Sequence, residues 1–388
     1  MKKLLVLVLV GFSAFVVWLI EPVSYLPWSN TVQTHIQVAN DFRCRDGQTI
    51  DLGEVENKLI DDLSLQKYLG MSAGIYKQDC ERFIVAAGYS QKGKAEGFQT
   101  STVGRVASIT KPMTAIAIMQ LYEQGKINLD DPIQTYLPEF PQNTQKQITV
   151  RHLLNHTSGI PHYSSKIDSL SFTHYESQND AVDYIQSRGV ISEPGERYTY
   201  SSFGYALLGA IIEKVSRLSL EEYLHLNVWQ KAGMVNTSLE KEEQVKNKAG
   251  LYIKLGSFYL KSPRNDLSLI YAAGGVQSTT NDLLKFGEAI LANKLVSRQT
   301  LEQMIDITNS ISIAAGDDPY GLGWYVYHHK KDGRIIAHSG AQPGANSYLK
   351  VYLDKSIVVA TLSNAFGTKA SVHAITNDMA RLALQVED

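Results

Sequence analysis

Strand-forming segments gather near the two ends of this 388-residue chain, and the long stretch between them reads mostly as helix. At the front, the helical spacing of Val55 to Tyr68 is followed by two strand-like runs, Met71–Lys77 and Arg82–Tyr89, with a short polar turn between them. At the back, Arg334–His338, Ser347–Leu353 and Ser356–Leu362 alternate as strands, and the Asp354-Lys355 turn favours an antiparallel pairing of the last two. A final helical segment covers Lys369–Leu384. Between these ends, Gly125, Pro138, Pro141, Pro161 and Pro194-Gly195 punctuate helical runs. The simplest solution joins both ends in one antiparallel sheet, with the middle folded against it as a helical lobe, about residues 104–269. That predicts a mixed α/β fold of the α+β kind, with a ligand site at the seam.

The front of the chain carries a separate signal. Lys2 and Lys3 precede an uncharged apolar run from Leu4 to Ile20, which as a helix spans about 26 Å, near the lower limit for crossing a bilayer. The lysines favour a cytoplasmic N-terminus, Trp18, Tyr25 and Trp28 suit the interface, and no clear small-x-small cleavage site follows. Residues 1–30 therefore read as an N-terminal membrane anchor or a signal peptide, residues 31–50 as a linker and residues 51–388 as the main body. Either reading exports the body: periplasmic and tethered to the inner membrane by residues 4–20, or secreted if the segment is cleaved. In such a compartment the two cysteines, Cys44 and Cys80, can form a disulfide or stay as separate thiols. Lys plus Arg is 37 and Asp plus Glu is 39, a net charge of −2 that leaves no footprint for nucleic acid.

Chemistry enters through Ser-x-x-Lys, a weak motif that recurs along the chain. Ser64 to Lys67 ends the first helix, and Ser347 to Lys350 lies in a strand, where residues three apart face opposite ways. Ser108-Ile109-Thr110-Lys111 instead opens the apolar run Met113–Tyr122, which Gly125 stops. On a helix Ser108 and Lys111 share a face, and the helix start offers backbone N–H donors to an oxyanion. Serine needs a base, and a lysine of pKa ~10.4 is under ~0.1% neutral at pH 7 unless burial or nearby cations lower it.

Five stretches then resemble the serine β-lactamase and penicillin-binding superfamily, specifically its class C-like branch: VGRVASITKPMTAIAIMQL, VRHLLNHTSGIPHY, YTYSSFGYALLGAIIEKVS, YAAGGVQSTTNDLLKFG and IIAHSGAQPGANSYL. They occur in the family's order. The resemblance implies a β-lactamase/transpeptidase-like fold and an acyl-enzyme formed on Ser108. It implies that Tyr200, of Tyr200-Ser201-Ser202, is the general base or a partner of Lys111 in that role. The earlier Tyr163-Ser164-Ser165 has no helix behind it and is set aside. Ser202 stands where the family has Asn, and His338-Ser339-Gly340 fills the Lys-Thr-Gly position. His-x-Gly variants resemble esterases, D-amino-acid peptidases and the mitochondrial β-lactamase-like serine protease. The backbone N–H groups of Ser108 and Ala341 are the implied oxyanion hole.

Other constellations are weaker. His152 and His156 lack the Glu and the third ligand of a zinc motif, Asp130-Asp131-Pro132 reads as a turn, and the G-x-S-x-G at Gly70–Gly74 falls in the strand-like run Met71–Lys77 rather than at a strand-to-helix elbow. No metal or cofactor is expected. The sequence thus predicts a serine hydrolase for a peptide amide or ester, such as a D-amino-acid peptide or small ester. A class C-like β-lactamase or D-alanyl-D-alanine carboxypeptidase, and a catalytically idle membrane-tethered scaffold, stand as alternatives. The partner is a small-molecule or peptide substrate, with the membrane added if residues 4–20 are retained.

Overall fold

The computed structural model describes residues 36–385, apart from residues 40, 41, 46, 48, 50, 95, 165–169, 242–244, 257, 264 and 309–318. The apolar run 4–20 with its flanking aromatics, and Ser165, lie outside the described residues. Among the described residues no helix is long and apolar enough to cross a membrane.

One antiparallel sheet organises the body. Its strands are β1 (Ile36–Ala39), β2 (Gly70–Lys77), β3 (Phe83–Gln91), β4 (Tyr325–His329), β5 (Gly333–Gln342), β6 (Ala345–Tyr352) and β7 (Ile357–Ser363). The order β1-β3-β2-β7-β6-β5-β4 puts the two chain ends side by side, and a short strand, Glu96–Gly97, adds to β3. The junction is β7 on β2, with Ile357 opposite Lys77 and Ser363 opposite Met71. Both central strands are buried almost throughout, so their alternating faces are apolar on both sides.

The two faces are covered differently. Helices α1 (Gly53–Ser64) and α5 (Lys369–Leu384) pack on one face around Val55, Leu59, Ile75, Val359, Ile375 and Met379. The other face carries the helical lobe, whose centre is α2 (Thr110–Glu123) and α3 (Ser202–Ser216). Helix α4 (Thr280–Leu291) lies between the lobe and β7. Every residue of α2 from Thr110 to Leu121 is buried, as its nearly all-apolar sequence predicts. Pro112 falls in the first turn, where its missing N–H is harmless. Gly125, at φ +67°, closes the helix as sequence reading expected: its N–H bonds to Tyr122 O at 2.9 Å and that of Lys126 to Leu121 O at 2.9 Å.

Within residues 31–50, read from sequence as a linker, Ile36–Ala39 pairs with β3, opposite residues 84–87. Cys44 and Cys80 are joined in a disulfide across 36 residues, which ties that segment to the β2–β3 turn. Edge strand β4 was not anticipated: its YVYHH sequence has its last two side chains exposed and ends in charge.

Candidate active site

The nucleophile turn precedes α2. Residues Ala107–Ile109 form one 3-10 turn, and Ala107 sits in the left-handed region at φ +49°, a backbone strain of the kind found at functional sites. Strand β5 presses this turn from below. A Cβ on Gly340 would lie 2.2 Å from Val106 O and 2.2 Å from Ser347 Oγ, so only glycine lets the strand approach. Ser347 Oγ in turn donates to Val106 O at 2.7 Å. The serine of a rejected Ser-x-x-Lys therefore braces the one that fits.

Lys111 is completely buried, and its Nζ donates to three neutral acceptors: Ser108 Oγ at 3.1 Å, Ser202 Oγ at 3.2 Å and Ala273 O at 3.0 Å. No carboxylate pairs with it among the described residues. Burial alone pulls its pKa from 10.5 to about 7. The Tyr200 ring lies 4.7 Å from the ammonium. Burial moves the Tyr200 phenol the other way, well above its ordinary value, with a hydrogen bond from Ser108 opposing.

Tyr200 and Ser202 are set by the start of α3. Ser201 caps that helix, accepting from Gly204 N–H at 2.9 Å and donating to Pro161 O at 2.8 Å. Its own N–H donates to His156 Nδ1 at 3.1 Å, and Ser202 N–H to His162 Nδ1 at 3.2 Å. His156 is fully buried, with Tyr200 at 4.4 Å and Tyr205 at 5.0 Å between ring centroids, and burial holds it neutral, well below its usual pKa. His152 instead closes a capping box with Thr149. The two histidines do structural work in separate places, and no group of His, Cys, Asp and Glu that could hold a metal occurs among the described residues. Asp130 forms a two-pronged bond with Arg151, at 2.7 and 2.8 Å.

His338 reaches the site from β5 and is neutral. Burial, then the Lys111 charge, pull its pKa down to about 3 against a bond to Ser339 O. Its Nδ1 lies 2.8 Å from that carbonyl, so Nδ1 carries the proton and Nε2 accepts from Tyr320 Oη at 3.0 Å. The partner is thus Tyr320, not Tyr200, whose ring lies 6.3 Å away between centroids. Sequence reading missed Tyr320 and Tyr325, carried His162 only within the stretch VRHLLNHTSGIPHY, and set Tyr163 aside. For the tyrosines the only signal was their density, which does not say which of 21 reach one site.

Ser108, Tyr200, Ser202, His338, Ser339 and Ala341 line one cleft of about 520 Å³; Lys111 lies behind its floor and Gly340 under the turn. The rest of the wall is mostly apolar, with Tyr163, Leu170, Ile253, Ile270, Tyr325 and Phe366 among its residues and His162, Asn265 and Gln342 as polar points. No arginine, lysine or carboxylate side chain lines it among the described residues.

The geometry agrees with the comparisons. The family model described as Beta-lactamase matches residues 56–384, and the chain belongs to that family of serine hydrolases. It is 30% identical over 296 aligned residues to penicillin-binding protein 4* of Bacillus subtilis, covering 71% of this chain and 64% of that protein, so it spans less than two thirds of that relative. To the human mitochondrial serine beta-lactamase-like protein LACTB it is 26% identical, over 81% of this chain and 74% of the other. The octameric penicillin-binding protein homologue from Pyrococcus abyssi superposes with a TM-score of 0.73 at 28% identity, covering 86% of this chain and 78% of that one.

Proposed function

We propose that this serine hydrolase works through an acyl-enzyme on Ser108 and cleaves uncharged amides or esters with a substantial apolar part. The observation that carries this is the unpaired, buried Lys111 ammonium 3.1 Å from Ser108 Oγ. With a pKa of about 7, half of it is neutral at pH 7, about a thousandfold more than an ordinary lysine offers. Tyr200 is shifted away from its phenolate, so Lys111 is the base and Tyr200 the proton carrier.

Neutral Lys111 takes the Ser108 proton as Oγ attacks the carbonyl. The backbone N–H groups of Ser108 and Ala341 face the resulting oxyanion, an arrangement that commonly contributes about 3 kcal/mol. On collapse the leaving nitrogen or oxygen takes a proton from the Tyr200 hydroxyl, which is refilled from the Lys111 ammonium. Water then attacks the acyl carbonyl, gives its proton to Lys111, and the acid departs as Ser108 regains its hydrogen.

Substrate charge follows from the lining. A substrate carboxylate would meet neutral His338 and a largely apolar wall, an unfavourable exchange for water. That argues for neutral esters and amides, D-amino-acid derivatives included, over β-lactams and D-alanyl-D-alanine peptides. Export, with residues 4–20 as tether or cleaved signal, is the matching location, and the Cys44–Cys80 disulfide suits an oxidising compartment.

Incubation with a fluorophosphonate and with a fluorescent penicillin, followed by peptide mapping, tests the reading. Ser108 should carry the phosphonate readily and the penicillin slowly. Fast turnover of a chromogenic cephalosporin would move the assignment to a β-lactamase, and no label from either probe would leave the idle scaffold.

A further inference from the structure

Strands Tyr252–Leu255 and Phe258–Lys261 form a hairpin outside the main sheet. Its inner strand pairs with Ala365–Phe366, and Ile253 and Phe366 both line the cleft. Its tip is apolar and open: Leu255 and Phe258 are each 65% exposed, and so is Leu65 in the adjoining segment. That segment holds the hairpin through Tyr259 Oη to Gln66 O at 2.8 Å and Lys254 Nζ to Lys67 O at 3.1 Å. Soluble proteins seldom leave large apolar side chains together at a projecting tip without a partner.

Two observations say what covers it. The start of β1 lies at the same end of the sheet, since Ile36 pairs with Ala87 and Tyr89 bonds to Leu69 O. The cleft also opens there, because Gly340–Gln342 and Ala345–Ser347 meet Ser363 at that end. Residues 21–35 can span at most about 50 Å, so a tether at residues 4–20 keeps this end near the bilayer.

We infer that the 252–261 hairpin rests its tip, Leu255 and Phe258, in the interface of a lipid bilayer and holds the cleft mouth against it, so that apolar substrates enter from the membrane side. This rests on the proposed tether. The test uses the full chain in vesicles of about three parts phosphatidylcholine to one part phosphatidylglycerol. Both native cysteines are in the disulfide, so Leu255→Cys takes a single environment-sensitive label. Leu226→Cys, on the helix beyond the far end of α2, is the exposed control.

Nitroxide-bearing lipids should quench the label at position 255 at least about twofold more than that at 226. Leu255→Asp with Phe258→Asp should slow hydrolysis of a vesicle-embedded long-chain ester about tenfold and leave a soluble short-chain ester unchanged. Equal quenching at both positions in chains that float with the vesicles overturns the hairpin while keeping the tether. Chains that do not float overturn both. An emission shift at position 255 without lipid that grows with protein concentration gives the tip to a second copy, and also overturns the bilayer.

Discussion

Arg105 and Lys111 are both buried within the same body, and they are treated in opposite ways. Arg105 bonds Glu240 through two nitrogens, both at 2.7 Å, and also reaches Asn265 Oδ1 at 3.0 Å and Pro343 O at 2.7 Å. Burial alone would push the Glu240 carboxyl up, and the Arg105 bonds outweigh it and hold it below its ordinary value. Lys111 has only neutral acceptors, and its pKa falls. A guanidinium clamped to a carboxylate builds a wall, here the cleft residues Asn265 and Pro343. An ammonium without one becomes a titrating group beside a nucleophile. The difference teaches that burial supplies either rigidity or reactivity, depending on whether an acid is buried too.

The sharpest way to break that contrast is to remove each cation. Lys111→Met should lower kcat/KM by about 10³-fold or more and yet raise stability by about 1–4 kcal/mol at pH 7. The sign follows from linkage: the folded pKa lies below the unfolded one, so the native lysine costs most at pH 7 and below. That cost fades as pH rises toward 10.5. Urea melts at pH 7 and 10 check this, and a Lys111→Met protein less stable than wild type at pH 7 would sink the argument. Ser108→Ala, by contrast, should abolish turnover with little change in the melt.

Arg105→Met should do the reverse. Leaving Glu240 buried without its guanidinium costs about 3–5 kcal/mol. Activity should fall mainly through KM, since the cleft wall loosens while Ser108 and Lys111 keep their bond. A fall confined to kcat would place Arg105 in the chemistry instead.

The pH profile separates the two without mutation. If neutral Lys111 is the base, kcat/KM should rise about tenfold per pH unit below 7 and flatten above it. The midpoint should survive Arg105→Met, though the rate does not. A flat profile from pH 5 to 9 would leave Lys111 charged throughout and return the proton to another group.

How much of this was legible beforehand follows the same division. Local periodicity located α1, α5 and the central strands within a few residues, because they carry their apolar faces in their own sequence. Ser108 and Lys111 were legible because four consecutive residues contain both, at the turn that opens one apolar helix. β1 was missed because four residues at an edge, inside a polar stretch, have no periodicity to read. Tyr320 was missed because its role exists only through His338, 18 residues on and in another element. The same holds for the lysine's pKa: sequence names the lysine, but only packing shows that no acid comes near.

His338 supplies the smallest and most specific test. With Nδ1 bonded to Ser339 O and Nε2 accepting from Tyr320, it has no proton to offer toward the cleft and no charge above pH ~3. Tyr320→Phe removes only the donor to Nε2, leaving a buried acceptor unsatisfied at a cost of about 1–3 kcal/mol, part of which a water entering from the cleft can restore. The expected effect is a fall in kcat of about three- to tenfold on neutral esters, with the Lys111 midpoint unmoved. His338→Lys places a second cation near Lys111 and should depress that midpoint while improving binding of carboxylate-bearing substrates. If instead the two variants leave ester and β-lactam selectivity as it is in the wild type, His338 is a packing residue, and the neutral cleft owes its preference to its apolar walls alone.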